Sequence, residues 1–315
     1  MGRTRRRNSG TLSSVTTDGL APPAIDAASG DLLGYSPPDL PAHLVYPLNV
    51  FADAFAGEIE RGRKAASHIH AHVVGLARDC DRALVNNLAA MDSLRPMFRE
   101  MTLHIEENDS RDRTKEILQD YSRSRPWARA NCKDLGRSHR GSEFAGQRTV
   151  ELAEYRTTCQ ASVPDGADLV IVFDFDAKGG FSPVGVAHGI YLLASERNCV
   201  CVASVSLIRS RVAQWDGTTT KMLDQWIHYD AWALRLNSWF DDYRAGMGSW
   251  KHQWIPPVGS PFVPVCSAFG GMAIYRAGAY RAGRYSGEDC EHVKFHQTLP
   301  GRVYLNPSMR VVMDW

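Results

Sequence analysis

The sequence predicts an α/β protein with a mostly parallel central sheet flanked by helices, and three observations carry that prediction. Leu169-Val170-Ile171-Val172-Phe173 is a continuous apolar run, largely β-branched. A run of that kind reads as a strand buried on both faces of a sheet. Upstream, Val73–Ala77 reads as a strand and Leu84, Leu88, Met91 and Leu94 follow at helical spacing, stopping before Pro96. Leu103–Ile105 is a second short strand, after which Asp109 or Ser110 can cap a helix carrying Ile117, Leu118 and Tyr121. Strand–helix–strand–helix is the start of a parallel sheet with crossover connections. Downstream, Ser182-Pro183 opens a helix with proline at its first position, and Cys199–Val205 follows as another strand.

The chain is organised around the residues that end the Leu169 strand, Asp174-Phe175-Asp176. Two carboxylates cannot be core, because buried unpaired charge is too costly. In an open α/β sheet, ligands gather at the carboxyl ends of the strands. An oxygen-only pair suits a hard cation such as Mg²⁺ or Mn²⁺, completed by water and phosphate oxygens. An Asp-x-Asp after a strand can also simply open a turn. In either case Phe175 is expected to pack inward.

Composition narrows the field. With 36 Lys and Arg against 35 Asp and Glu, the net charge of +1 exerts no general pull on nucleic acid, so no nucleic-acid binding is expected. No apolar run approaches the roughly 18–20 residues of a membrane span. The seven cysteines are odd in number and form no C-x-x-C pair, which points to free thiols in a reducing cytoplasm. Residues 1–40 are rich in Gly, Ser, Thr and Pro after a basic start at Arg3, Arg5, Arg6 and Arg7, and read as a disordered tail.

The remaining segments are read in order. Val50–Lys64 suits a short amphipathic helix, and residues 123–146 lack periodicity and read as a loop. A helix from about Gln147 to Gln160 carries Arg148 and Arg156. Six of the eight tryptophans fall between Ser210 and Ser260, and Trp226, Tyr229, Trp232, Ala233, Leu236 and Phe240 fit a helix with an aromatic face. Gly270-Gly271 before a strand lets the backbone approach a ligand or another segment. Glu288 or Asp289 starts a helix running to Leu299, on which His292 and His296 share one face. Arg302–Pro307 adds a last strand.

Taken in order, the strand ending at Arg78, Glu107-Asn108-Asp109-Ser110, Arg148 to Arg156, Asp174-Phe175-Asp176, Phe269-Gly270-Gly271 and Gly287-Glu288-Asp289 resemble the GT-A fold glycosyltransferases that use nucleotide sugars, in flavour the family 2-like enzymes. The resemblance covers roughly residues 70–310. It implies a Rossmann-like domain over 41–315, with a nucleotide-sugar half at about 70–206 and an acceptor half at about 207–315. It implies a hexosyltransferase that moves sugar from a UDP- or GDP-sugar to a hydroxyl of a glycan, lipid, protein or small molecule. By the same resemblance Arg78, Asn108, Asp109, Arg148, Arg156, Asp174, Gly270 and Gly271 face the donor, with Asp109 at its base. Asp174 and Asp176 hold Mn²⁺ or Mg²⁺, with His292 as a further ligand, and Asp289 or Glu291 is the base. The same resemblance offers His296 as an alternative to His292 as the added ligand, against a helix-surface or hydrogen-bonded core role, which is the one favoured for His296. Two other readings use the same residues: a metal-dependent nucleotidyl or phosphoryl transferase, and a non-catalytic binder of sugar nucleotides. The chain contains no G-x-x-x-x-G-K-[ST] phosphate loop.

Overall fold

A computed structural model describes residues 40–141, 146–236 and 255–314. The tail expected over residues 1–40 falls almost entirely outside them, as do Trp239, Phe240, Trp250 and Trp254. The described strands form one nine-stranded sheet. In chain order these are β1 (His70–Ala77), β2 (Glu100–Asn108), β3 (Ala128–Lys133), β4 (Leu169–Asp174), β5 (Cys199–Trp215), β6 (Thr220–His228), β7 (Val263–Val265), β8 (Met272–Arg276) and β9 (Arg302–Asp314). The helices are α1 (Asn49–Ala66), α2 (Asp81–Leu94), α3 (Thr114–Ser124), α4 (Gln147–Ala161), α5 (Pro183–Ser195), α6 (Ala277–Ala282) and α7 (Glu291–Gln297).

The spatial order is β3-β2-β1-β4-β8-β5-β9-β7, with β6 paired to β5. The run β3-β2-β1-β4 is parallel throughout, and β9 runs parallel to β5. β8 enters antiparallel between β4 and β5. Leu169 to Phe173 in β4 are at most 4% exposed, because helices cover both faces. One apolar layer joins β1, β2 and β4 to α2, α3 and α5, through Leu84, Leu118 and Ile190 among others. The other sets Val74, Val170 and Val172 against Cys159 of α4 and Phe295 of α7. Each such aliphatic or aromatic side chain contributes about 1.5–3 kcal/mol by leaving water, so the parallel half makes a stiff platform for whatever sits at its strand ends. Among the described residues, no helix is long and apolar enough to cross a membrane. All seven cysteines are free thiols.

Several expectations need correction. Residues 123–146 are not all loop, since β3 pairs with β2 from Leu103↔Ala128 to Asn108↔Lys133. Trp226 lies in strand β6, not on a helix; β5 and β6 form an antiparallel ribbon whose outer part is solvated on both faces and so shows no periodicity. The helix after β2 starts at Thr114, whose amide donates to Asp112 Oδ1 at 2.9 Å, and neither Asp109 nor Ser110 caps it. The late helix starts at Glu291, two residues past Asp289, with Cys290 in the capping position.

Candidate active site

β1, β2 and β3 wind outward in one direction, and the chain then crosses through α4 to place β4 on the opposite flank of β1. The strand order therefore reverses between β1 and β4. At such a reversal neighbouring connections leave on opposite faces and a crevice opens beyond the carboxyl ends. A cleft of about 220 Å³ lies there, lined by Arg78, Asn108, Arg140, Arg148, Asp174, Asp176 and Glu291 among others. A second lobe of about 390 Å³ shares Arg148, Leu152, Asp174, Asp176 and Glu291 and adds Tyr229, Trp232, Phe269 and His292.

Local backbone chemistry holds the two aspartates. The Asp174 amide donates to Gly271 O at 2.9 Å, and the Phe175 amide donates to Leu76 O at 3.1 Å. Phe175 is fully buried, edge-on to Phe173 at 5.0 Å. Gly75 of β1 makes room for it, since a Cβ there would meet the Phe175 ring at 2.6 Å and Phe173 O at 2.2 Å. Gly270 and Gly271 both adopt positive φ, 66° and 82°. A Cβ on Gly270 would lie 2.2 Å from Ser204 O, so the turn that meets Asp174 depends on glycine.

The electrostatics are those of crowded carboxyl groups. Asp174 Oδ1 accepts from Arg156 Nη2 at 2.5 Å. Water reaches Asp176, yet the enclosing cleft, and next the Asp174 charge, push its pKa up to about 6. Glu291, 4% exposed at the start of α7, is raised by burial while Arg156 opposes the rise. Its Oε1 lies 4.0 Å from Arg156 Nε and 3.6 Å from His292 Nε2. For Arg156 itself, burial works against the charge, but Asp174 and Glu291 outweigh it and hold the guanidinium ionised. His292 stacks on Phe269 at 3.6 Å, and neither of its ring nitrogens has a hydrogen-bond partner. Burial, then the Arg156 charge, lowers His292 far below the ordinary histidine range, so it is a neutral ring.

Some expected site residues lie elsewhere. Asp109 adopts φ 57° and accepts from the amides of Leu135, Gly136 and Arg137 at 2.7, 2.8 and 3.2 Å. Its carboxylate pins the loop after β3 and does not line the cleft, while the neighbouring Asn108 does and donates to Tyr155 OH at 3.1 Å. Asp289 lines neither lobe; it accepts from the Cys290 amide and lies 3.6 Å from Arg235 Nη2. Of the two carboxylates named as base, Glu291 is the one the cleft exposes to Asp174 and Asp176. Gly270 does not line the cleft, whereas Gly271 lines the second lobe. His296 hydrogen-bonds Ser267 Oγ at 2.8 Å and Tyr275 OH at 2.9 Å, and burial lowers its pKa to about 3, as suits a core residue.

Other lining residues were not singled out from the sequence. Leu152 and Tyr155 sit four and seven residues after Arg148, so helical spacing alone puts them on its face. His139 and Arg140 come from the loop after β3, and Arg140 pairs with Glu151 at 3.0 Å. Nothing in that loop's sequence marks it as a wall of the cleft.

No family model and no curated protein match the chain. Solved structures similar to it include GalNAc-T7 with UDP, GalNAc and Mn²⁺, at 11% identity over 89% of this chain and 56% of that one, with a TM-score of 0.43. Another is the mannosyltransferase PcManGT from Pyrobaculum calidifontis with GDP-Man and Mn²⁺, at 11% identity, 84% and 66% coverage and a TM-score of 0.45. A third is glucosyl-3-phosphoglycerate synthase from Mycobacterium tuberculosis with Mn²⁺, UDP and phosphoglyceric acid, at 12% identity, 81% and 72% coverage and a TM-score of 0.44. The chain thus spans less than two thirds of the length of the first two.

Proposed function

We propose that this protein is a divalent-metal-dependent glycosyltransferase of the GT-A type, transferring a hexose from a UDP- or GDP-sugar to a hydroxyl acceptor. One observation carries the reading: Asp174 and Asp176 share a two-lobed cleft at the β1/β4 reversal with the buried carboxyl of Glu291. The stretches that resemble such enzymes supply Asp174 and Asp176, and the last of them, Gly287-Glu288-Asp289, stops two residues short of Glu291.

The residues suit a hard cation. Asp174 and Asp176 offer oxygen ligands, and the crowding of their two like charges favours added positive charge. Among the described residues, no group of three or more His, Cys, Asp or Glu side chains could hold an ion. A two-carboxylate site that leaves its other positions to water and phosphate is how Mg²⁺ commonly binds. Asp174 and Asp176 would hold Mn²⁺ or Mg²⁺; His292 lines the second lobe with its ring nitrogens unpartnered but joins no three-ligand group with them. When bound, the ion offsets negative charge on the departing nucleoside diphosphate.

The protein's own groups do the rest. Arg78, Arg140 and Arg148 line the first lobe and face the donor's diphosphate, for which a guanidinium fork is well suited. Tyr229 and Trp232 line the second lobe, where the acceptor packs beside Glu291. Glu291 takes the proton from the attacking hydroxyl. The setting that goes with this reading is the cytoplasm, supported by seven free thiols. The reading is tested by exposing the protein to UDP- and GDP-hexoses with Mn²⁺: slow, metal-dependent release of free sugar is expected, and no binding or turnover of any of them would refute it.

A further inference from the structure

Arg156, expected from the sequence to face the donor, lines the first lobe with its guanidinium held by Asp174. It projects from α4, and its side chain, 3% exposed, forms part of the floor of the first lobe. Nη2 donates to Asp174 Oδ1 at 2.5 Å, Nε lies 4.0 Å from Glu291 Oε1, and the guanidinium sits over the Phe269 ring at 5.1 Å. Nε and Nη1 have no hydrogen-bond partner. Phe269 in turn stacks on His292. One buried cation therefore touches the end of β4 on one side and the start of α7 on the other.

An arginine that grips a phosphate presents its fork to the ligand. Arg156 instead turns its hydrogen-bonding edge to Asp174 and buries its face on Phe269. A buried ion group is stable only while its partners remain, and losing one leaves uncompensated charge. Asp174 and Glu291 lie 117 residues apart in the chain, and the guanidinium of Arg156 reaches both. We propose that Arg156 is a positioning residue that locks the Asp174 and Glu291 carboxyl groups into one frame. This inference rests on the transferase reading. It adds that the donor-side and acceptor-side carboxylates are mechanically coupled through a single guanidinium.

The test is steady-state Mn²⁺-dependent hydrolysis of whichever UDP- or GDP-hexose in a panel turns over fastest, measured on full-length protein. For Arg156→Met, kcat should fall by about a hundredfold or more with donor KM within about threefold, the signature of lost transition-state geometry rather than lost binding. Arg156→Lys restores the charge but not the fork, and should recover about tenfold of that loss. In a Glu291→Gln background the same Arg156→Met change should cost at least about tenfold less than alone, because its effect passes partly through Glu291. A rise in donor KM of about tenfold with kcat unchanged would overturn the inference and leave the transferase reading standing. Full additivity of the two changes would overturn it as well. If Arg156→Met gives no cooperative melt, Arg156→Lys decides alone, with a kcat loss at constant KM expected and a KM effect at constant kcat contradicting it. Failure of the wild type to bind or hydrolyse any member of the panel overturns the transferase reading and this inference together.

Discussion

Replacing Glu291 by Gln separates the two carboxylates at the start of α7. The substitution keeps shape and volume at a site that is 4% exposed. It removes the ability to accept a proton and weakens the 4.0 Å pairing with Arg156. Arg156 keeps its hydrogen bond to Asp174, so losing the looser 4.0 Å pairing should lower the thermal midpoint only slightly. A positioned general base contributes about 10²–10⁴ in rate, or about 3–5 kcal/mol at about 1.4 kcal/mol per tenfold. Sugar release from the preferred nucleotide sugar should therefore fall by about that factor, with nucleoside diphosphate affinity by calorimetry changing less than about threefold. Asp289→Asn should behave in the opposite way. Its carboxylate lies outside both lobes beside the buried Arg235, so the change should appear in the melting curve and leave kcat within about threefold. If Asp289→Asn abolishes turnover and Glu291→Gln does not, the base assignment drawn from the cleft is wrong.

Gly270→Ala forces an L-residue to φ 66° and brings Cβ to 2.2 Å from a backbone oxygen in β5. The left-handed conformation alone costs about 1–2 kcal/mol, so chemical denaturation should show at least that loss, and an unchanged midpoint would contradict the turn's role. Asp109→Ala releases the amides of Leu135, Gly136 and Arg137, and limited proteolysis should then cut the loop after β3 faster than in the wild type. His72 is held neutral, with its pKa lowered to about 4 by burial and then by His104 and His70. A buried histidine lowered in the fold stabilises it fully above the unfolded value of about 6.5, and that contribution, up to about 3 kcal/mol, is lost as pH falls from about 6.5 toward 4. The denaturation midpoint of His72→Gln should accordingly fall less than that of the wild type between pH 7 and pH 4.5.

How far the fold was legible depended on packing. The β4 run and the Ser182-Pro183 start could be read because full burial demands apolar side chains and proline suits the first helical turn; Ser182 Oγ does accept from the Gly185 amide at 2.9 Å. β3 was missed although Ala128, Ala130 and Cys132 alternate with Arg129, Asn131 and Lys133. Its inward residues are small and none is β-branched, so the period-two signal was faint. The β5–β6 ribbon was misread because aromatic spacing imitates a helical stripe when neither face is buried. In the site, the aspartates were visible because charge at the end of an apolar strand marks either a turn or a ligand site. Burial separated Glu291 from Asp289, two residues apart, and that depends on where α7 begins, which no motif encodes. Arg156 was visible as an arginine on a helix, but its pairing with Asp174 in the cleft floor follows from the β1/β4 reversal.

The account stands most directly on whether Asp174 and Asp176 form a metal–diphosphate site. The decisive measurement is calorimetric binding of UDP and GDP, each with Mn²⁺ and with EDTA, to the wild type and to Asp176→Ala. Saturable binding of at least one nucleotide that requires Mn²⁺ and disappears in Asp176→Ala, with the melting midpoint preserved, is the predicted result. Nucleotide binding that is indifferent to Mn²⁺ and to Asp176→Ala, or no binding at all, would contradict it.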